Sequence, residues 1–164
     1  MNPNLAAELG QELLKRQLFV AAAESLTCGN IQAIIGSVSG SSNYFAGGVT
    51  AYRIEDKARL LKVDEPHARS VNAVSERVAV EMARGVCELF DCDIGIGTTG
   101  YAEPAPAQGV AQPFAHYAVW SRGKLKKEGV IAAAVVEGGS ASRNAMQRLV
   151  AEHALAGLLN YLRG

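Results

Sequence analysis

The chain has 164 residues, enough for one domain and short for two ordinary ones, so residues 1–164 are expected to form a single domain. Sixteen basic and sixteen acidic residues cancel, which excludes nucleic-acid binding driven by net charge. The composition, 49% apolar and 20% charged, is that of a globular protein able to bury roughly two-thirds of its unfolded surface without a disulfide or metal staple.

Asn4 to Gln17 reads as an amphipathic helix, with Leu5, Leu9, Leu13 and Leu14 on one stripe. Leu18 to Ala23 is continuously apolar, as expected of a strand buried on both faces, and Glu24 to Gly29 breaks it with polar and small residues. A helix is expected over Asn30 to Ser37, a Ser/Gly-rich loop over Val38 to Asn43, a strand over Phe45 to Tyr52 and a short helix over Glu55 to Leu61. Ser75 to Phe90 is the clearest helix. Ser75 is a good N-cap, Val78 leaves no capping box, and Glu76 stands where the helix dipole favours it. Asp93 to Thr98 is a second buried strand, followed by a Pro-, Ala- and Gly-rich loop from Gly100 to Gln112. Ala115 to Ser121 and Lys127 to Val136 form a hairpin around Arg122-Gly123, and Ser140 to Leu162 is a closing helix. Early alternation of helices and strands with a late hairpin predicts an α/β fold, a three-layer α/β/α sandwich with a mixed, mostly parallel sheet.

The three cysteines are an odd number. The first apolar run is too short for a signal peptide and lacks a basic leader, and no segment approaches a membrane span. A reducing cytoplasmic location and no membrane partner are expected. Cys87 and Cys92 have no second pair to complete a zinc site, so no metal is expected.

Polar loops follow the predicted strands at Glu24 to Gly29, after Tyr52 and at Thr98 to Gln112, and in open α/β folds sites collect at the carboxyl ends of strands. Ser41-Ser42 lies in a separate loop just before a strand. Two nucleophiles stay open on the residues alone. Ser42 needs a base, which a desolvated Lys57 could supply with Tyr52 assisting; the plain alternative is a loop serine and a solvated lysine. Cys28 precedes a helix, whose N-terminus lowers a thiol's pKa; the plain alternative is a small residue filling space. His67, His116 and His153 are scattered and read as structural or exposed.

Several segments together resemble the CinA C-terminal family, whose best-known members are nicotinamide-nucleotide amidases. Ala23-Glu24-Ser25-Leu26-Thr27-Cys28-Gly29 is similar to its Ala-Glu-Ser-Cys-Thr-Gly-Gly segment. Gly40-Ser41-Ser42, Phe45, Gly47, Tyr52, Glu55 and Lys57 resemble the next block. Ala73-Val74-Ser75-Glu76 with Glu81-Met82-Ala83 resembles a third, and Thr99-Gly100-Tyr101-Ala102-Glu103-Pro104 a worn Thr-Gly-Ile-Ala-Gly-Pro. Pro113 resembles the proline opening the next strand and Arg143 the arginine of a Gly-Asp-Arg segment. The resemblance runs from about Leu13 to Leu155.

It implies deamidation of nicotinamide mononucleotide to the nicotinic acid nucleotide and ammonia, through an acyl-enzyme and without metal or organic cofactor. The implied nucleophile is Ser42, the base Lys57 and the assistant Tyr52, ten and five residues apart. Ser25, Thr27, Gly29, Ser41, Thr99, Gly100 and Arg143 are the implied substrate-binding residues. The implied partner is a small pyridine nucleotide, and homo-oligomerisation is expected. The departures fall in the substrate loops. Cys28 and Glu103 stand where the family has glycine, Arg53-Ile54 where it has Ser-Asn, and Ala115-His116 where Gly-Thr is usual. Ser142 replaces an aspartate and Gln147 an arginine. An added carboxylate repels a phosphate dianion and a lost arginine removes a charged partner, unless Glu103 points to solvent and Arg53 supplies the missing charge. A paralogue with an altered carboxamide substrate, or a nucleotide-binding protein without turnover, are the two alternatives.

Overall fold

The centre of the molecule is a strand rich in alanine. β1 (Val20–Glu24) is buried along its whole length, with Val20 and Ala22 in one hydrophobic cluster and Ala21 and Ala23 in another. Its small side chains let helices approach closely from both faces. In the computed structural model, which describes residues 4–125 and 127–164, β2 (Phe45–Thr50) and β3 (Ile94–Tyr101) flank β1, both parallel to it. β4 (Phe114–Arg122) runs antiparallel to β3, and β5 (Glu128–Glu137) antiparallel to β4. The order is β2-β1-β3-β4-β5. The sheet is mixed, as the sequence predicts, with a parallel half and an antiparallel half.

Two layers of helices enclose it. α1 (Leu5–Arg16), α2 (Asn30–Gly36) and α6 (Arg143–Arg163) cover one face, and α3 (Ile54–Leu61), α4 (Glu65–Ser70) and α5 (Glu76–Leu89) the other. The three-layer α/β/α sandwich is thus present. α5 buries Val78, Ala79, Met82, Ala83 and Val86 on one stripe, and Ser75 caps it by accepting the Val78 N–H at 3.2 Å. A Cβ on Gly95 or Gly97 of β3 would stand 1.9 and 2.2 Å from the Ala83 and Ala79 carbonyl oxygens, so α5 lies backbone to backbone on that strand. Gly85 does the same for α3: a Cβ there would meet the Leu61 carbonyl at 2.0 Å.

The structure adds what the periodicity does not predict. α4 is too short to show a hydrophobic period, but its start is marked: Asp64 accepts the His67 N–H at 2.8 Å and Pro66 sits in the first turn. Single 3₁₀ turns occupy Ser41–Asn43 and Pro106–Gln108 inside the two expected loops. α6 begins at Arg143 rather than Ser140 because Ser142 is its N-cap, accepting the Ala145 N–H at 3.4 Å. No described helix is long and apolar enough to cross a membrane.

Candidate active site

The carboxyl ends of β1, β2 and β3 lie side by side, since Glu24 pairs with both Thr50 and Thr98. The polar residues that follow each strand converge there on a cleft of about 370 Å³. Parallel strands deliver their succeeding loops to one rim, and that alone brings Ser25, Tyr52 and Thr99 together.

Lys57 is the decisive residue of this rim. α3 turns Ile54, Lys57 and Leu61 toward the protein, so the lysine occupies an apolar stripe and is only 1% exposed. Its Nζ donates to the Ala51 carbonyl at 2.9 Å and the Tyr52 carbonyl at 2.7 Å. Its third neighbour is the Ser25 hydroxyl, at 3.1 Å. Burial disfavours the ammonium and brings the pKa down to about 8, with Asp56 opposing the shift.

Ser25 is held by its own chain. Its N–H donates to the Thr98 carbonyl at 3.1 Å, continuing the ladder of β1 one residue past the strand. The loop after it is tied down by Glu24, a fully buried carboxyl. Glu24 accepts the N–H groups of Gly29 at 2.9 Å, Ile31 at 3.1 Å and Gln32 at 3.0 Å. Those are otherwise unpaired donors at the start of α2, and a carboxyl at a helix N-terminus is favoured electrostatically. Thr27 closes the floor through a 2.8 Å hydroxyl contact with Thr98, and Thr99 donates to the Ala73 carbonyl at 2.6 Å. Cys28 sits between Thr27 and Gly29 with φ of +50°, a left-handed conformation that suits glycine and strains a side chain.

Tyr52, Arg143 and Glu103 form the mouth of the cleft. Tyr52 is about half exposed. Its hydroxyl pKa is raised, first by the partial burial of the ring and then by the Cys28 thiol, with the Arg143 guanidinium pulling the other way. Arg143 donates to the Glu103 carboxylate at 2.9 Å, joining the first turn of α6 to the loop after β3. Asn72, which also lines the cleft, donates to the Tyr101 hydroxyl at 2.9 Å.

The expected pairing of Ser42 with Lys57 is not formed. Ser41 and Ser42 lie in the 3₁₀ turn ahead of β2, at the amino end of that strand, whereas Lys57 follows its carboxyl end. β2 alone separates them by roughly 20 Å at about 3.3 Å per residue. Neither serine lines the cleft, whereas Ser25, Tyr52, Lys57, Thr99, Gly100 and Arg143 do. Thr27 and Gly29 act from behind, in the loop that carries Ser25. None of the three histidines lines the cleft. His67 contacts the Ser75 hydroxyl at 3.1 Å and His153 the Leu149 carbonyl at 2.8 Å, while His116 is partly buried on β4 with its pKa lowered by that burial. Cys87 and Cys92 are buried together, Sγ to Sγ 3.9 Å. Among the described residues no cluster of three or more His, Cys, Asp or Glu is placed to hold a metal ion.

Residues 2–162 match the model of the CinA C-terminal domain. The chain belongs to the CinA C-terminal domain family. It is 48% identical over 101 residues to a CinA-like protein of Picosynechococcus, 62% of this chain and 24% of that protein. It thus spans about a quarter of such relatives' length. A shorter relative, protein MG115 of Mycoplasma genitalium, is 45% identical over 102 residues, 62% of this chain and 63% of the relative. A CinA superfamily protein from Klebsiella pneumoniae has the same fold, with a TM-score of 0.85 at 25% identity, covering 98% of this chain and 96% of that one.

The departures from the CinA pattern now have positions. Arg53 is exposed and pairs with Asp56 at 2.8 Å, holding that carboxylate down to about 2 together with Arg59. It does not line the cleft and supplies no replacement charge there. Gln147 lies on a separate surface with Asn30 and Arg148. Glu103 pairs with Arg143 at 2.9 Å while its side chain stays more than half exposed.

Proposed function

We propose that this protein is an amidohydrolase in which Ser25, rather than Ser42, is the nucleophile and Lys57 is its base. The observation that carries the reading is the 3.1 Å contact between a buried lysine amine and the Ser25 hydroxyl at the cleft floor. A neutral amine has two N–H bonds and one lone pair. The Ala51 and Tyr52 carbonyls take both N–H bonds, which turns the lone pair toward Ser25. With a pKa of about 8, about a tenth of the amine is neutral at pH 7, and the base is matched to its task.

In this mechanism Ser25 Oγ attacks the carboxamide carbon while its proton passes to Lys57 Nζ. The tetrahedral adduct collapses with cleavage of the C–N bond, Lys57 returns the proton to the departing nitrogen, and ammonia leaves. Water, deprotonated by Lys57, then cleaves the acyl-enzyme to release the carboxylic acid and restore Ser25. The backbone N–H groups of Leu26 and Thr27 donate to no protein acceptor among the described residues and are the candidate oxyanion donors. Tyr52, at the mouth between Cys28 and Arg143, orients the bound amide.

The family resemblance puts nicotinamide mononucleotide first among the carboxamides to be tried. Ammonia release by the purified chain, from it or from a carboxamide without phosphate, is the test. Ser25→Ala is expected to lower kcat by at least about a thousandfold, as loss of a covalent nucleophile does, and Ser42→Ala to change it by less than about twofold, as a distant surface change does. Equal activity in both variants sinks the assignment. Tight nucleotide binding without turnover in the wild type favours the non-catalytic alternative.

A further inference from the structure

We infer that Glu103 sets the substrate class: the cleft takes a carboxamide whose far end carries no phosphate. For the reaction this rests on the amidohydrolase reading; for binding it stands alone. Lys57 is at the floor and engaged with two carbonyls and Ser25. Among the described residues Arg143 is the one guanidinium lining the cleft, and it heads the 21-residue α6, where the helix dipole adds to its attraction for an anion. That corner already holds an anion. The Glu103 carboxylate reaches across from the loop after β3 to accept from Arg143 at 2.9 Å.

A phosphate arriving at Arg143 would displace Glu103 and then sit beside its displaced charge. Both side chains are about half exposed, so the pair itself is weak and stabilises the fold little. Its consequence is selectivity rather than stability. A neutral or cationic group meets no such repulsion, and an N-substituted pyridinium carboxamide lacking phosphate brings a positive charge toward the same carboxylate.

The test compares wild type, Glu103→Gln and the Glu103→Gln/Arg143→Met double variant. Inorganic phosphate is titrated into each by calorimetry, and ammonia release is followed from nicotinamide riboside and nicotinamide mononucleotide. Wild type is expected to bind phosphate weakly and to prefer the riboside in kcat/KM. Glu103→Gln is expected to bind phosphate about tenfold more tightly and to move the riboside-to-nucleotide ratio by a similar factor, about the worth of one charge-assisted pair. The double variant is expected to lose that gain. Unchanged phosphate affinity and an unchanged ratio in Glu103→Gln overturn the inference while leaving the amidase chemistry intact. If neither carboxamide is hydrolysed, the amidohydrolase reading falls and the phosphate titration still decides the role of Glu103.

Discussion

The two ends of the parallel half of the sheet carry serines in turns of similar composition, and they have opposite characters. At the amino end of β2, Ser42 lies in an exposed 3₁₀ turn. At the carboxyl end of β1, Ser25 is nearly buried, anchored through its own N–H to β3 and in contact with a buried amine. The difference follows from strand direction. Loops leaving parallel strands meet at a common rim, whereas Ser42 stands at the far rim, where the strands begin. A serine hydroxyl acquires chemistry from what the topology brings to it.

The largest effect that would sharpen this contrast is at Lys57. Lys57→Met is expected to lower kcat by about a hundred- to ten-thousandfold, the usual worth of a general base, with the melting temperature at pH 7 changed by only a few degrees. The folded pKa is depressed from 10.5 to about 8, so between those values the unfolded chain binds the proton and the folded chain does not. Lysine burial therefore costs up to ~3 kcal/mol below pH 8, and this cost disappears as pH rises to 10.5. Methionine removes that cost but leaves two carbonyls without a donor, at about 1 kcal/mol each, and the two effects nearly cancel. The wild-type rate should climb through about pH 8 as the amine deprotonates. A rate independent of pH from 6 to 9 would remove Lys57 as the base.

A smaller effect is expected at Glu24, which separates holding the loop from doing chemistry. Glu24→Gln exchanges one acceptor oxygen for an amide that faces an N–H group. A loss of about 2 kcal/mol in thermal or denaturant unfolding is expected, with a lower kcat and an unchanged pH midpoint, since Lys57 is untouched. The smallest effect is at Cys28. Glycine relieves the left-handed strain but loosens the unfolded chain, so Cys28→Gly should stabilise by about 0.5–1 kcal/mol. A loss of stability would mean that the thiol's contact with Tyr52 outweighs the strain.

Much of this fold is legible in the sequence because its signals are local. The apolar run before Glu24, the capped stripe of α5 and the turn at Arg122-Gly123 each declare their element. The mixed sheet follows from their order. α4 escapes because six residues are too few to show a period, although Asp64 and Pro66 announce its start. The site is legible in part. Lys57 and Tyr52, singled out by the motif resemblance, both line the cleft, and Ile54, Lys57 and Leu61 at helical spacing mark the lysine as inward-facing. Ser25 was open to the rule that sites gather at carboxyl ends of strands, because it directly follows the run that forms β1. The Glu103–Arg143 pair lies 40 residues apart in the chain, and nothing local in either segment announces it.

Gly85 gives the site a remote setting. A single methyl group is withheld there, where α5 lies against the last carbonyl of α3, and α3 is the helix that carries Lys57. The helix that carries the amine is seated at the depth this contact allows, 28 residues further along the chain, and burial is what makes the amine reluctant to hold a proton. Basicity here is a property of the spacing between helices as much as of the residue that bears the nitrogen.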